Sequence, residues 1–232
     1  MATSSFAGFP QATFAFLRGV AANNNKVWFD AHRADYEAGY VEPGKAFVEA
    51  IGPGLKKISP TVKFEPRVNG SLFRINRDVR FAKDKSPYQT KLDLWFWHGG
   101  ERGWTAPGFF LRIEADTLGI GVGMHAFQKP QLDAFRRAVL DGRSGKALEK
   151  AIAKVEGAGP YRVHGATRKT VPRGFDADHE RAKFLLHEGL WTDVELPSVA
   201  EAKRPDFVKF CLGHFAAMWP IGRWLLDEVT AD

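Results

Sequence analysis

"TVKFEPRVNGSLFRINRDVRF", residues 61–81, is where the chain stops repeating like a helix and starts repeating like a strand. Val62 and Phe64 alternate with Lys63 and Glu65, and Asn69-Gly70 is a turn signal. From Leu72 to Phe81 alternation again sorts side chains onto two faces. Ile75, Arg77, Val79 and Phe81 share a face that reads as core with Arg77 intruding, while Arg74, Asn76, Asp78 and Arg80 share a polar one.

Upstream the period is helical. Phe14, Leu17 and Ala21 make an apolar stripe over 11–22, widened by Phe16 and Val20. Residues 23–26, "NNNK", both stop that helix and start the next, since Asn suits the left-handed C′ position and the N-cap. The pattern predicts a second helix over about 26–38 and a third from Glu42-Pro43 to about Ile58, weakened by Gly52-Pro53-Gly54.

Downstream, Leu92, Leu94 and Phe96 line one face of a strand over 91–97, and 109–115 and 118–125 read as a hairpin around Asp116. Helices are expected at about 129–141 and 144–156, and another from near Asp178. Short strands are expected at 161–164 and 190–196, with a closing helix at 205–229 bent or broken at Pro220. The expected fold is α+β: a mostly antiparallel central sheet (about residues 61–125, plus later short strands) flanked by N-terminal and C-terminal helices. The whole chain, 1–232, is expected to be a single domain.

Composition excludes several classes. With 44% apolar and 26% charged residues the chain is globular rather than disordered. Cys211 is the only cysteine, so no intramolecular disulfide forms, which fits a reducing compartment, and the cytoplasm is the expected location. The N-terminal apolar run is interrupted by Arg18 and reads as a helix rather than a signal peptide, and no stretch suits a membrane span. The seven His residues fall into no HExxH or Cys/His cluster, and neither a P-loop, a GxGxxG strand–helix motif nor GxSxG is present. No metal and no cofactor is therefore expected.

A net charge of +6 suits polyanionic partners. Between Phe73 and Lys91 stand six cations and two acids, and this is where a ligand site is expected. Arg74 and Arg80 lie about 20 Å apart on an extended strand, too far to hold one small phosphate together. Arg77, on the apolar face, needs a carboxylate, carbonyls or a bound anion, and Glu65, Asp93 and Glu114 are its possible internal partners. Pro87 turns the chain, so Arg80, Lys83 and Lys85 gather at one end with Tyr88 as a hydroxyl donor.

Three segments, "NNNKVWF" (23–29), "RINRDVRFAKDKSPY" (74–88) and "VPRGFDADHE" (171–180), together resemble the domain of unknown function 2461 family. The resemblance implies one full-length domain and transfers no catalytic residue. Ala82 and Gln89 stand where that family commonly has a small hydroxyl residue and a Lys, so neither is assigned a role.

Further features stay open between packing and function. Gly119, Gly121 and Gly123 share a strand face that would admit a helix or a ligand, and His125 continues it as a candidate acid–base group. Trp95, Trp97 and Trp104 surround a Gly-rich loop and serve either a core or a stacking surface. Arg168, Lys169 and Arg173 precede the acids of 176–180, a basic loop before a capped helix or a second anion-facing loop.

Three functions follow. The first is binding of a phosphorylated or other anionic ligand through Arg74, Arg77, Arg80, Lys83, Lys85 and Tyr88, with Asp78 and His125 as proton-transfer groups if the protein is an enzyme. Nucleic-acid binding is a less favoured second. The third is a scaffold or interaction protein whose charges serve internal ion pairs.

Overall fold

A computed structural model of the chain describes residues 6–100 and 106–230. The first helix, α1 (Gln11–Ala22), buries Phe14, Phe16, Leu17 and Val20 of the expected stripe, while Ala21 is exposed. The three Asn residues after it divide the work. Asn23 is its C-cap, and Asn25 caps α2 (Lys26–Ala31) by accepting from the Trp28 amide. The expected second helix is broken: α2 is followed by α3 (Arg33–Tyr36) and a π-helical turn, Glu37–Val41. Helix α4 (Glu42–Ile58) runs through Pro53.

The sheet has five antiparallel strands with helices before and after it, so the fold is α+β. The strands are β1 (Leu92–Trp97), β2 (Gly108–Ile113), β3 (Leu118–Met124), β4 (Arg162–Ala166) and β5 (His187–Leu196), in the order β1-β2-β3-β5-β4. Between β3 and β4 come α5 (Lys129–Leu140) and α6 (Gly142–Glu156). The chain closes with α7 (Phe207–Glu228). Pro220 does not end α7, because Met218, Trp219, Ile221, Trp224 and Leu225 on either side of it are all buried.

Three expectations need correction. The sheet starts at Leu92, not near residue 61, and 72–81 is no strand. That segment makes only isolated bridges, Leu72 with Val68 and with Leu94, and Asn76 with Tyr88. The Arg77 amide donates to the Pro87 carbonyl and the Gln89 amide to the Ile75 carbonyl, the two bonds that flank the Asn76–Tyr88 bridge, and the Arg80 amide turns back to the Asp78 side chain. Phe81, expected in the core, is 95% exposed. No helix begins at Asp178: Asp176 accepts from the Asp178 amide and His179 from the Arg181 amide, and the chain turns before a 3-10 helix at Ala182–Leu186.

By contacts the chain divides into two compact units. The first holds Met1–Phe96, Phe110–Ile120 and Glu195–Gly213, and the second Trp97–Phe109, Gly121–Val194 and His214–Asp232. An aromatic cluster forms the first core: Phe9 and Phe47 lie 5.5 Å apart, and Phe47 and Phe207 5.4 Å apart. Cys211 is buried there, and burial pushes its thiol pKa well up. In the second core, Trp219 stacks on Phe109 at 4.7 Å and on His98 at 5.2 Å. Gly222 of α7 lies against Val122, so that helix meets the apolar face of β3 rather than its glycine face. Trp95 and Trp97 are buried, and Trp104 lies outside the described residues. Among the described residues no helix is long and apolar enough to cross a membrane.

Candidate functional site

The segment 74–88 is a loop with a closed neck. Beyond the backbone bonds that join 75–77 to 87–89, Asn24 clamps Tyr88: its Oδ1 accepts from the Tyr88 amide at 3.0 Å, and its Nδ2 donates to the Tyr88 carbonyl at 2.9 Å. The Tyr88 ring is buried and stacks on Phe29 at 4.2 Å. The middle Asn of "NNN" thus anchors the basic loop. Sequence reasoning missed Asn24; the only signal was a third Asn where two suffice to end one helix and start another.

Within the loop the cations differ. Arg77 Nη1 donates to Asp84 Oδ2 at 2.5 Å and to the Ser86 carbonyl at 2.9 Å. An internal carboxylate does answer Arg77, but it comes from the loop itself. Of the expected partners, Asp93 holds Arg112, Glu65 holds Arg67, and Glu114 accepts from the Thr117 hydroxyl. Ser86 donates to Asp84 Oδ1 from its hydroxyl at 2.7 Å and from its amide at 2.9 Å. These Ser86 bonds, and then Arg77, lower the Asp84 pKa to about 2.

Asp78 receives Arg80 at both carboxylate oxygens, Nε at 2.9 Å and Nη2 at 2.6 Å. That pairing lowers its pKa, so near neutral pH Asp78 is a carboxylate with no proton to give. Lys85 Nζ donates to the Val79 carbonyl at 3.0 Å and the Arg80 carbonyl at 3.4 Å, which fixes the loop's shape. Arg74 and Lys83 are exposed, and neither makes an ion pair among the described residues. Arg80 lies 5.9 Å over the Phe81 ring.

The family model described as "Conserved hypothetical protein (DUF2461)" matches residues 12–224. The chain belongs to this DUF2461 family. Among curated proteins nothing matches. Two of the three resembling segments meet in the Asn24–Tyr88 clamp, and the DUF2461 match runs through both compact units.

The remaining candidates belong to the second unit. His125 follows β3, is exposed, and stacks on Trp191 at 4.2 Å. Arg168 pairs with Glu188 at 3.1 Å, and Lys169 and Arg173 are exposed. Two surface cavities of about 250 and 360 Å³ lie here as well, along α5, α6 and α7. Arg143, Arg137 and Asp141 line the first, and Lys150, Lys154 and Trp224 the second; none of the sequence-derived site residues lines either.

Proposed function

We propose that this chain binds a phosphorylated or otherwise anionic ligand through the 74–88 loop, with Arg74 and Lys83 as its first contacts. The observation that carries this is the division of labour among the loop's cations. Arg77 and Lys85 are consumed in holding the loop's shape, and Arg80 is held by Asp78. Arg74 and Lys83 have no carboxylate within ion-pair distance among the described residues. A loop fixed by its own bonds and by Asn24 meets an anion with little ordering cost. Exchange of the Asp78–Arg80 pair onto the ligand would bring a third cation to it. The family match across both units supports reading 1–232 as one domain.

Phe81 favours nucleic acid as the second reading. A fully presented aromatic ring beside Arg80, with Lys83 two residues on, offers a base a stacking face and its phosphates cations. Five neutralised phosphates would give a log–log salt slope of about −4.5 on duplex DNA and about −3.5 on a single strand.

Inorganic pyrophosphate by calorimetry and a fluorescein-labelled single-stranded DNA by anisotropy separate the two readings. The double variant Arg74→Ala/Lys83→Ala should lose about tenfold or more in affinity for whichever probe binds, tenfold being the scale of one charge-assisted bond. If neither probe binds at low salt, or the double variant binds as tightly as the natural chain, the proposal fails.

A further inference from the structure

Strand β5 buries Leu190, Thr192 and Val194, so Trp191 and Asp193 stand half-buried on its other face. Across the ladder, β4 places Arg162 opposite Asp193 and His164 opposite Trp191, on that same face. On the other side of β5, His125 follows the end of β3. The three rings form a row: His125 and Trp191 stack at 4.2 Å, and Trp191 and His164 at 5.3 Å with 18° between planes. His164 Nε2 meets Asp193 Oδ1 at 3.0 Å.

The backbone is built around this row. Gly165, φ +119°, follows His164 at a bulge between His164 and Ala166. Gly123, φ +135°, precedes His125 by two residues, as Gly189 precedes Trp191. A Cβ on Gly165 would collide with the Gly189 carbonyl, one on Gly123 with the Leu190 carbonyl, and one on Gly189 with the His125 carbonyl. Each strand that carries a ring is thus drawn against its neighbour by a glycine close to that ring. Bulges of this kind re-aim side chains and gather beside functional sites.

The chemistry follows from the partners. A carboxylate only accepts, so Asp193 fixes the proton of neutral His164 on Nε2 and leaves Nδ1 as the acceptor. Trp191, held between two imidazoles, restrains the His164 ring. Arg162 is exposed and makes no ion pair among the described residues.

We propose that the β3–β5–β4 face is an oxyanion-binding acid–base site. Its ligand is a small molecule that carries a phosphate or carboxylate group beside a hydroxyl. Arg162 takes the oxyanion, and His164 accepts the hydroxyl's hydrogen bond at Nδ1, poised as a general base with Asp193 to stabilise the imidazolium. His125 closes the row from the far side of Trp191. This site draws on no residue of the 74–88 loop.

The test is long-range ¹H–¹⁵N NMR of the histidine rings in the full chain near neutral pH, titrated with inorganic phosphate and, separately, with acetate. His164 should show the Nε2–H tautomer, and Asp193→Ala should release it into a mixture. One or both anions should shift the His164 signals saturably, and Arg162→Ala should weaken that response about tenfold, the scale of one charge-assisted bond. Arg74→Ala/Lys83→Ala should leave it unchanged, which separates this site from the loop. An Nδ1–H tautomer overturns the proposal. So does an absence of response to either anion at tens of millimolar, or an undiminished response in Arg162→Ala.

Discussion

Strand β5 and the segment 72–81 carry similar alternating sequences, and the molecule treats them differently. Along β5, Leu190, Thr192 and Val194 go into the core and the residues between them face out, with β3 and β4 on either side to take the backbone bonds. Along 72–81, Leu72 and Ile75 are buried, a spacing no flat strand gives, and Phe81 stands in solvent. What separates them is the competition for the backbone. Residues 187–196 meet a neighbouring strand on each side. In 72–89, the Asp78 and Asp84 carboxylates each accept from a main-chain amide two residues on, and Arg77 and Lys85 bond to loop carbonyls. Short polar side chains that satisfy the main chain locally remove its need for a ladder.

The sharpest way to break this comparison is to truncate the apolar residue that each region's alternation would bury. Leu190→Ala should cost about 2–5 kcal/mol, the range for a buried Leu that leaves a cavity. Urea unfolding followed by tryptophan fluorescence would measure it. A loss below about 1 kcal/mol would mean that β5 is not the packed strand described here.

Arg77 sharpens the comparison from the loop's side. Its side chain is 24% exposed and that of Asp84 63%, so the pair is screened and Arg77→Ala should cost only about 1–2 kcal/mol. Its pH dependence has a defined sign. The folded Asp84 pKa, about 2, lies below its ordinary 3.8, so between these values the unfolded chain binds more protons. The stabilisation is therefore whole above about pH 4 and is lost as pH falls towards about 2. Asp84→Asn should unfold at lower urea than the natural chain near neutral pH, and the gap should close across that window. A gap that persists unchanged to the acid end would assign the stabilisation to something other than the Asp84 charge.

Helices α1, α4, α5, α6 and α7 and the strands after residue 91 were legible because apolar residues recur along each at a helical or strand period. The helix expected over 26–38 instead breaks after α2, and the one expected from Asp178 rests on a cap signal that the chain uses for a turn. Helix α4 begins and ends where the Pro and apolar spacing put it, at Glu42 and Ile58. The loop was legible in position but not in shape. Its cations were visible, yet which acid meets Arg77 depends on a turn whose closure rests on Ser86 and on Asn24, far away in sequence. Arg162, His164 and Asp193 were less visible still. Each is an ordinary strand residue until the register sets His164 opposite Trp191 and Arg162 opposite Asp193. Pairing across the loop and 3-10 helix that separate β4 from β5 is a tertiary outcome, and no local period encodes it.

Phe81 gives the smallest effect on stability and the most pointed test of what the loop is for. At 95% exposure its ring buries almost nothing, so Phe81→Ala should change the unfolding free energy by less than about 0.5 kcal/mol. A large loss would mean that the ring packs somewhere after all and that 72–81 shares the strand character of β5. If the ring is a stacking surface, the same variant should weaken single-stranded DNA by about 1–3 kcal/mol while leaving pyrophosphate unaffected, because only the former offers a base. Equal weakening of both would place Phe81 in the loop's shape rather than in its contact with a ligand. The two readouts thus separate a ring kept for folding from one kept for recognition, the distinction that divides this loop from β5.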